Sequence, residues 1–313
     1  MLYSQVSPEA KRLQLRAALA SDQILQLPGA FNPLSARLIE EKGFPGVYIS
    51  GAVLANDLAL PDIGLTTLTE VALRAGQIAR VCDLPAIVDA DTGFGEAMNV
   101  ARAVQELENS GLAGMHIEDQ VNPKRCGHLD GKEVVELDTA CRRVRAAVSA
   151  RRDPNFLIIA RTDIRATKPG RAGVEAARDR ARALAEAGAD AIFPEAMTTL
   201  AEFSAVCEAV EVPVLANMTE FGRSALFTAA ELQGVGVRIV IYPVTLLRSA
   251  MGEAERTLEV ILSHGSQEPQ VDRMLTRARL YGLVDYQAYS RFDAGVFNFA
   301  VPGRAPRKAE DDR

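Results

Sequence analysis

The sequence predicts an α/β fold, a (β/α)8 barrel of the TIM type with extra C-terminal helices. Three observations predict it. Eight short β-type runs alternate with helical patterns, and the runs are apolar on both faces, as parallel strands covered by helices must be. Several helical segments also end in a glycine that feeds the next run, the left-handed stop expected at helix-to-strand turns.

In order, the runs are ILQLPGA from Ile24, GVYISG from Gly46, PAIVDAD from Pro85 and GMHIED from Gly114, then FLIIARTD from Phe156, DAIFPEA from Asp190, PVLANM from Pro213 and RIVIYP from Arg238. The glycine stops lie in EKGF, NSGLAG, EAGAD and LQGVGV. Thr67 and Glu70 have capping-box spacing and open a helix that runs to about Val81. Past the eighth run, helical patterns at 245–265 and 271–289 exceed what closing a barrel needs and are expected to make subunit contacts. The reading is one barrel domain over 1–313, with a helical extension at about 266–295 and a charged, proline-broken tail at about 302–313 that is expected to be disordered. A doubly wound open sheet competes for the same alternation, but no Gly-x-Gly-x-x-Gly follows the first run.

The 313 residues carry 35 Lys and Arg against 41 Asp and Glu, a net charge of −6, and are 48% hydrophobic. That composition supports a large core and excludes a disordered or fibrous chain. There is no basic run with interleaved aromatics, and no apolar run approaches the roughly 18 residues of a spanning helix, so neither nucleic acid nor membrane is expected as a partner. The N-terminus lacks a secretory pattern, and the expected location is the cytoplasm. Cys82, Cys141 and Cys207 fall in helical apolar patterns, whereas Cys126 sits in a polar, glycine-containing loop; no Cys-x-x-Cys or zinc spacing occurs.

The runs turn polar where they end, at Ser50, Asp89 and Asp91, His116 with Glu118 and Asp119, Arg161 with Asp163, Glu195, and Asn217. In a barrel these ends share the face on which active sites are built, so the pattern points to an enzyme. Asp89 and Asp91, two apart on a strand end, would point the same way and offer oxygen ligands to one hard cation, Mg²⁺ or else Mn²⁺. The competing reading is a helix cap beside a solvated carboxylate. His116 and Glu118 follow on the next strand, and Asp62 could join through water. Gln120 to Glu133 reads as a mobile lid in which cations near Cys126, with His128 beside it, would favour an acid or base role; an incidental surface cysteine is the alternative. Arg161 and Glu195 could bind a substrate carboxylate and orient its polar groups, or pair with each other. Tyr48, on the same side of its strand as Ser50, is either a base or a packed core tyrosine.

Taken together, KRCGH (Lys124 to His128), VDADTGFG, YISG, ARTD, FPEA and NMTE resemble the 2-methylisocitrate lyase branch of the isocitrate lyase and phosphoenolpyruvate mutase superfamily, collinearly from about Ala18 to Tyr289. The resemblance implies Mg²⁺-dependent retro-Claisen cleavage of a tricarboxylate, 2-methylisocitrate, to pyruvate and succinate, in propionate breakdown through the methylcitrate cycle. It implies that Asp89 and Asp91 hold the metal, that Asp62, His116 and Glu118 orient its waters, that Tyr48 is the base, and that Cys126, with His128, serves the protonation step. Ser50, Gly51, Ala52, Cys126, Gly127, Arg161, Glu195, Asn217, Met218, Thr219, Arg248 and Arg277 match its substrate-contacting positions. It also implies a homotetramer, a dimer of dimers that exchanges C-terminal helices. Other superfamily lyases, isocitrate lyase among them, or decarboxylases are the alternative enzymes, and a non-catalytic dicarboxylate-binding barrel is the alternative of a different class. Two departures bear on fit: Ala52-Val53 stand where many relatives carry glycines, and Phe193 stands where isocitrate lyases tend to carry a bulky tryptophan. The smaller ring leaves room for the substrate methyl, a group worth about 1 to 3 kcal/mol of discrimination.

Overall fold

All eight runs form strands in a computed structural model of the chain, which describes residues 4–125 and 131–297. They are β1 (Leu25–Pro28), β2 (Val47–Ile49), β3 (Ala86–Asp89), β4 (Gly114–Glu118), β5 (Leu157–Thr162), β6 (Ala191–Pro194), β7 (Leu215–Asn217) and β8 (Ile239–Tyr242). The helices are α1 (Pro8–Ala20), α2 (Pro33–Glu41), α3 (Gly51–Asp57), α4 (Leu68–Ala79), α5 (Ala97–Asn109) and α6 (Leu137–Ala150). They continue as α7 (Gly170–Glu186), α8 (Leu200–Cys207), α9 (Ala229–Gly234), α10 (Thr245–His264), α11 (Arg277–Leu283) and α12 (Tyr286–Phe297). Thr67 and Glu70 make the reciprocal capping box that opens α4, and the stops at Gly111 and Gly188 adopt φ of 86° and 102°.

Every strand pairing is parallel, but the strands fall into two sheets, β2-β3-β4-β5-β6 and β1-β8-β7. Single parallel bridges, Gly29 with Tyr48 and Ile192 with Val214, join the two seams, where the amides of Ala30 and Ile192 donate to the carbonyls of Tyr48 and Pro213 at 2.9 Å. This corrects the expectation of one continuous closed ladder. The seams fall beside β2 and β7, whose three residues each leave little room for a second ladder.

Alternation along the strands divides the core in two and places the site. Inward residues such as Leu27, Tyr48, Ile87, Leu157, Ile159, Phe193, Leu215 and Ile239 pack together inside the strands. Their neighbours Ile49, Val88, Met115, Ile158, Ile192, Ala216 and Val240 pack outward under the helices. Continuing the period of two by one step beyond the inner core brings Ser50, Asp89, Glu118, Arg161, Glu195 and Asn217 to the same inner face at the C-terminal strand ends. At the opposite end α1 plugs the interior with Leu15, which is 1% exposed. Lys11 Nζ donates to the carbonyls of Ala79 (2.8 Å) and Cys82 (2.5 Å), Arg12 donates to those of Leu112 (3.0 Å) and Glu108 (2.7 Å), and Arg16 pairs with Asp190 at 3.0 Å.

The C-terminal pattern at 271–289 is not one helix. It resolves into a 3₁₀ turn (Glu268–Arg273), α11 and α12, with a break at Val284–Asp285 where Asp285 takes φ of 53°. Neither α10 nor α12 buries a residue, and Leu258, Leu262, Phe292 and Phe297 are exposed. Among the described residues no helix is long and apolar enough to cross a membrane. The tail expected at about 302–313 lies outside the described residues.

Candidate active site

The polar strand ends line a cleft of about 690 Å³. Tyr48, Ser50, Ala52, Asp62, Asp89, Arg161, Glu195, Asn217, Thr219 and Arg248 border it, together with Phe193 and the apolar residues Phe221, Pro243, Val244, Leu247 and Met251. Glu118 and His116 are buried beside these groups, at 2% and 0% exposure. Met218 is not among the lining residues; it packs in the outer core, and its Sδ accepts from the Phe227 amide at 3.3 Å. Arg277 is exposed in the first turn of α11 and does not line the cleft. Cys126, Gly127 and His128 lie outside the described residues.

Asp89 and Asp91 come together differently from the strand-alternation expectation. β3 ends at Asp89, and Asp91 sits beyond it in the left-handed region, with φ of 46°. Aspartate tolerates that conformation better than most side chains do, and the turn directs the Asp91 amide to Asp89 Oδ1 at 3.0 Å. Asp89 Oδ2 accepts from the Gly51 amide at 3.2 Å. A Cβ on Gly51 would stand 2.9 Å from Asp89 Oδ2 and 3.3 Å from Asp91 Oδ1, so the first turn of α3 can approach both carboxylates only as glycine. Gly51→Ala is therefore expected to displace the carboxylates, weakening metal affinity and activity by about ten- to a hundredfold, in line with other perturbations of groups that support metal ligands. Metal titration followed by calorimetry checks this, and unchanged affinity in the folded variant would refute it.

The donor set suits a hard divalent cation. Both Glu118 carboxylate oxygens are buried without a hydrogen bond, Oε2 standing 3.3 Å from Arg161 Nε, while the buried Asp91 Oδ1 meets the Lys124 ammonium at 2.6 Å. Burial together with the Asp89 charge pushes Asp91 up to about 6. Burial also opposes charge on Asp89, but His116, Lys124 and Arg161 outweigh it and hold that carboxyl at about 2. Burial drives Glu118 upward. Burial opposes charge on Asp91 and Glu118, and an added cation would favour their ionised forms. Among the described residues no group of three His, Cys, Asp or Glu is placed as a complete ligand set. Two carboxylates completed by water and substrate oxygens fit Mg²⁺, which holds on to its waters, better than they fit zinc.

Lys124 is a site residue that sequence reasoning left without a role. It is 3% exposed and joins Asp91 to Asp62, whose Oδ1 accepts from its Nζ at 2.5 Å. Tyr48 Oη and His116 Nε2 are hydrogen-bonded at 2.7 Å, and His116 Nε2 stands 3.6 Å from Asp89 Oδ1. Burial, then the Asp89 charge, raises the Tyr48 phenol well above its ordinary range, and burial lowers His116 to about 4. A free phenolate base is thus disfavoured in this arrangement, and Tyr48 stands as a protonated partner of His116. The His116 ring meets the Phe193 edge at 5.3 Å. Arg161 lies over the other partner of that contact, 5.1 Å from the Phe193 ring centre.

Arg161 has several carboxylate neighbours. Its Nη2 is 3.4 Å from Glu195 Oε2, a real ion contact, but its hydrogen bonds go to Asp163, from Nε at 3.0 Å and from Nη2 at 3.2 Å. Glu195 Oε2 accepts from Asn217 Nδ2 at 3.2 Å. Arg248 reaches Thr219 Oγ1 at 3.1 Å, pairs with Glu220 at 3.0 Å, and lies over Phe221.

Guanidinium groups and clustered carboxylates at the C-terminal ends of parallel strands define an α/β enzyme of small-molecule chemistry. The chain belongs to the family described as phosphoenolpyruvate phosphomutase, which matches residues 15–262. It is 57% identical over 303 residues to a probable 2-methylisocitrate lyase 2 of Corynebacterium glutamicum, covering 97% of both chains. It is 46% identical over 288 residues to a 2-methylisocitrate lyase of Aeropyrum pernix, covering 92% of each. Among solved structures, oxaloacetate acetylhydrolase in complex with 3,3-difluorooxalacetate has a TM-score of 0.86 at 34% identity, over 94% of this chain and all of that one. Phosphonopyruvate hydrolase in complex with oxalate and Mg²⁺ has a TM-score of 0.79 at 30% identity, over 91% of this chain and 97% of that one.

Proposed function

We propose that this protein is a carbon–carbon lyase that cleaves 2-methylisocitrate to pyruvate and succinate, in the cytoplasm, as part of propionate breakdown through the methylcitrate cycle. The observation that carries the reading is the single cleft that gathers two guanidinium groups, Arg161 and Arg248, beside the Asp89 carboxylate that pairs with Asp91, as a tricarboxylate with a metal-binding hydroxyl requires. Identity of 57% and 46% to proteins of that name, against 34% and 30% to the two hydrolases, supports the choice within the family.

Asp89 and Asp91 would hold Mg²⁺, with Mn²⁺ the alternative, and the bound cation supplies a Lewis acid for the substrate hydroxyl and the carbonyl of the departing pyruvate. Arg161 and Arg248 bind substrate carboxylates, and Ser50, Gly51, Ala52, Asn217 and Thr219 supply shorter polar contacts around them. The hydroxyl proton passes to Tyr48 as the phenol passes its own to His116 Nε2, 2.7 Å away; the imidazolium, disfavoured by burial, gives that proton up to solvent as products leave, and the thiolate formed in the next step regains one from solvent. The electrons of the broken carbon–carbon bond remain on the succinate side as an enediolate, and the Cys126 thiol gives it a proton, assisted by His128.

The test incubates the purified protein with Mg²⁺ and either 2-methylisocitrate or isocitrate, reading pyruvate and glyoxylate with EDTA controls. EDTA-sensitive pyruvate in large excess supports the proposal; dominant glyoxylate would instead make it an isocitrate lyase. Cys126→Ser is expected to retain metal and substrate binding while turnover falls by roughly 10² to 10⁴, the range of general acid catalysis. Near-normal turnover would take Cys126 out of the acid role.

The exposed apolar side chains of α10 and α12, Leu258, Leu262, Phe292 and Phe297 among them, support a homotetramer, a dimer of dimers that exchanges its C-terminal helices. Light scattering is expected to give four times the 33.7 kDa chain mass. A monomer at micromolar concentration would contradict it.

A further inference from the structure

We infer that Asp163, steadied by Lys132, is a positioning residue for Arg161: it occupies the Nε and Nη2 edge of the guanidinium, leaving Nη1 to meet a substrate carboxylate. The inference rests on the carboxylate-binding role proposed above for Arg161. Three carboxylates surround this guanidinium, but they are not equivalent. Glu118 and Glu195 approach at 3.3 and 3.4 Å, whereas Asp163 takes it side-on through two hydrogen bonds of 3.0 and 3.2 Å. A side-on carboxylate consumes one edge of a planar fork and fixes where the remaining nitrogen points.

Besides Arg161, two groups hold Asp163. Its Oδ1 accepts from Lys132 Nζ at 2.7 Å, and its amide donates to Asp119 Oδ1 at 2.9 Å. Asp119 in turn lies 2.9 Å from Arg180 Nε on α7. The side chains of Asp163 and Lys132 are 0% and 1% exposed. This chain of buried charges therefore runs from α7 to the cleft. Below Arg161 the Phe193 ring closes off one face of the guanidinium. An orientation fixed in this way before substrate arrives lowers the ordering cost of binding, so its loss falls on KM more than on the chemical step.

The experiment measures kcat and KM for 2-methylisocitrate, with saturating Mg²⁺, in full-length wild type, Asp163→Asn, Arg161→Lys and the double variant. Asp163→Asn is expected to raise KM about tenfold or more while changing kcat less than about threefold, and the double variant to be no worse than Arg161→Lys alone. A folded Asp163→Asn with KM within twofold of wild type, or effects that multiply in the double variant, would overturn the inference. Should Asp163→Asn fail to fold, Lys132→Gln takes its place in the same cycle, where a raised KM that does not multiply with Arg161→Lys supports the positioning role and an unchanged KM or multiplying effects refute it. If the wild type itself cleaves nothing, the cleavage reading is the one lost, and the cycle is read instead on the dissociation constant of succinate, where non-additivity supports the positioning role and additivity refutes it.

Discussion

An Asp89→Ala variant is expected to lose metal dependence and cleavage together, with kcat/KM lower by about a thousandfold, the scale of several kcal/mol of Lewis-acid stabilisation. Two effects combine. The variant removes one of two proposed ligands, and it also removes the acceptor of the Gly51 and Asp91 amides, so the turn that presents Asp91 loses its anchor. Asp89→Asn separates the two, because an amide oxygen can keep one of those hydrogen bonds while the charge is gone. Activity across a Mg²⁺ titration, together with direct metal binding, reads the outcome. A variant that kept full metal-dependent turnover would sink the ligand assignment.

Replacing Arg161 with methionine is expected to be nearly as severe and to reach stability as well. The change leaves Glu118 and Glu195, 2% and 1% exposed, around an uncharged side chain and takes from the buried Asp163 one of its two cations, Lys132 being the other. Breaking buried pairs by removing one partner typically costs about 3 to 5 kcal/mol, which for a chain of this size lowers Tm by roughly 10 °C. Turnover should fall below detection, since the cleft loses a carboxylate-binding group. Arg161→Lys keeps the charge, so its melting temperature should stay nearer to wild type while activity remains poor, because an ammonium cannot reproduce the fork. Thermal melts of the two variants decide it: an Arg161→Met protein melting with the wild type would show that Glu118 and Glu195 are neutral when the guanidinium is absent.

Much of this arrangement is legible in the sequence because two periodicities carry it. Apolar runs of strand length mark all eight strands, and the period of two that buries Tyr48, Ile87, Ile159, Phe193 and Leu215 also aims Ser50, Asp89, Arg161, Glu195 and Asn217 into one cleft. The remainder depends on information no local pattern holds. The left-handed turn at Asp91 reads in sequence like a continuing strand end. Lys124 and Lys132 look like solvated lysines in a polar segment, and only tertiary structure buries them against Asp91, Asp62 and Asp163. Met218 and Arg277 match motif positions but do not line the cleft of a single chain, a placement no motif spacing reveals. The break between α11 and α12 is hidden because helical periodicity continues across it.

The N-terminal plug has a consequence for the order in which the chain can fold. Helix α1 precedes in the chain every group it docks on: Lys11, Arg12 and Arg16 bind at Ala79, Cys82, Glu108, Leu112 and Asp190. During synthesis its apolar Leu15 must wait until well over half of the polypeptide has emerged before its full set of contacts exists. Loop closure over such sequence separations is slow and leaves hydrophobic surface uncovered in the interim. A helix made before its docking partners is thus seated after them, and the nascent chain carries an unsatisfied segment that its own later strands must rescue.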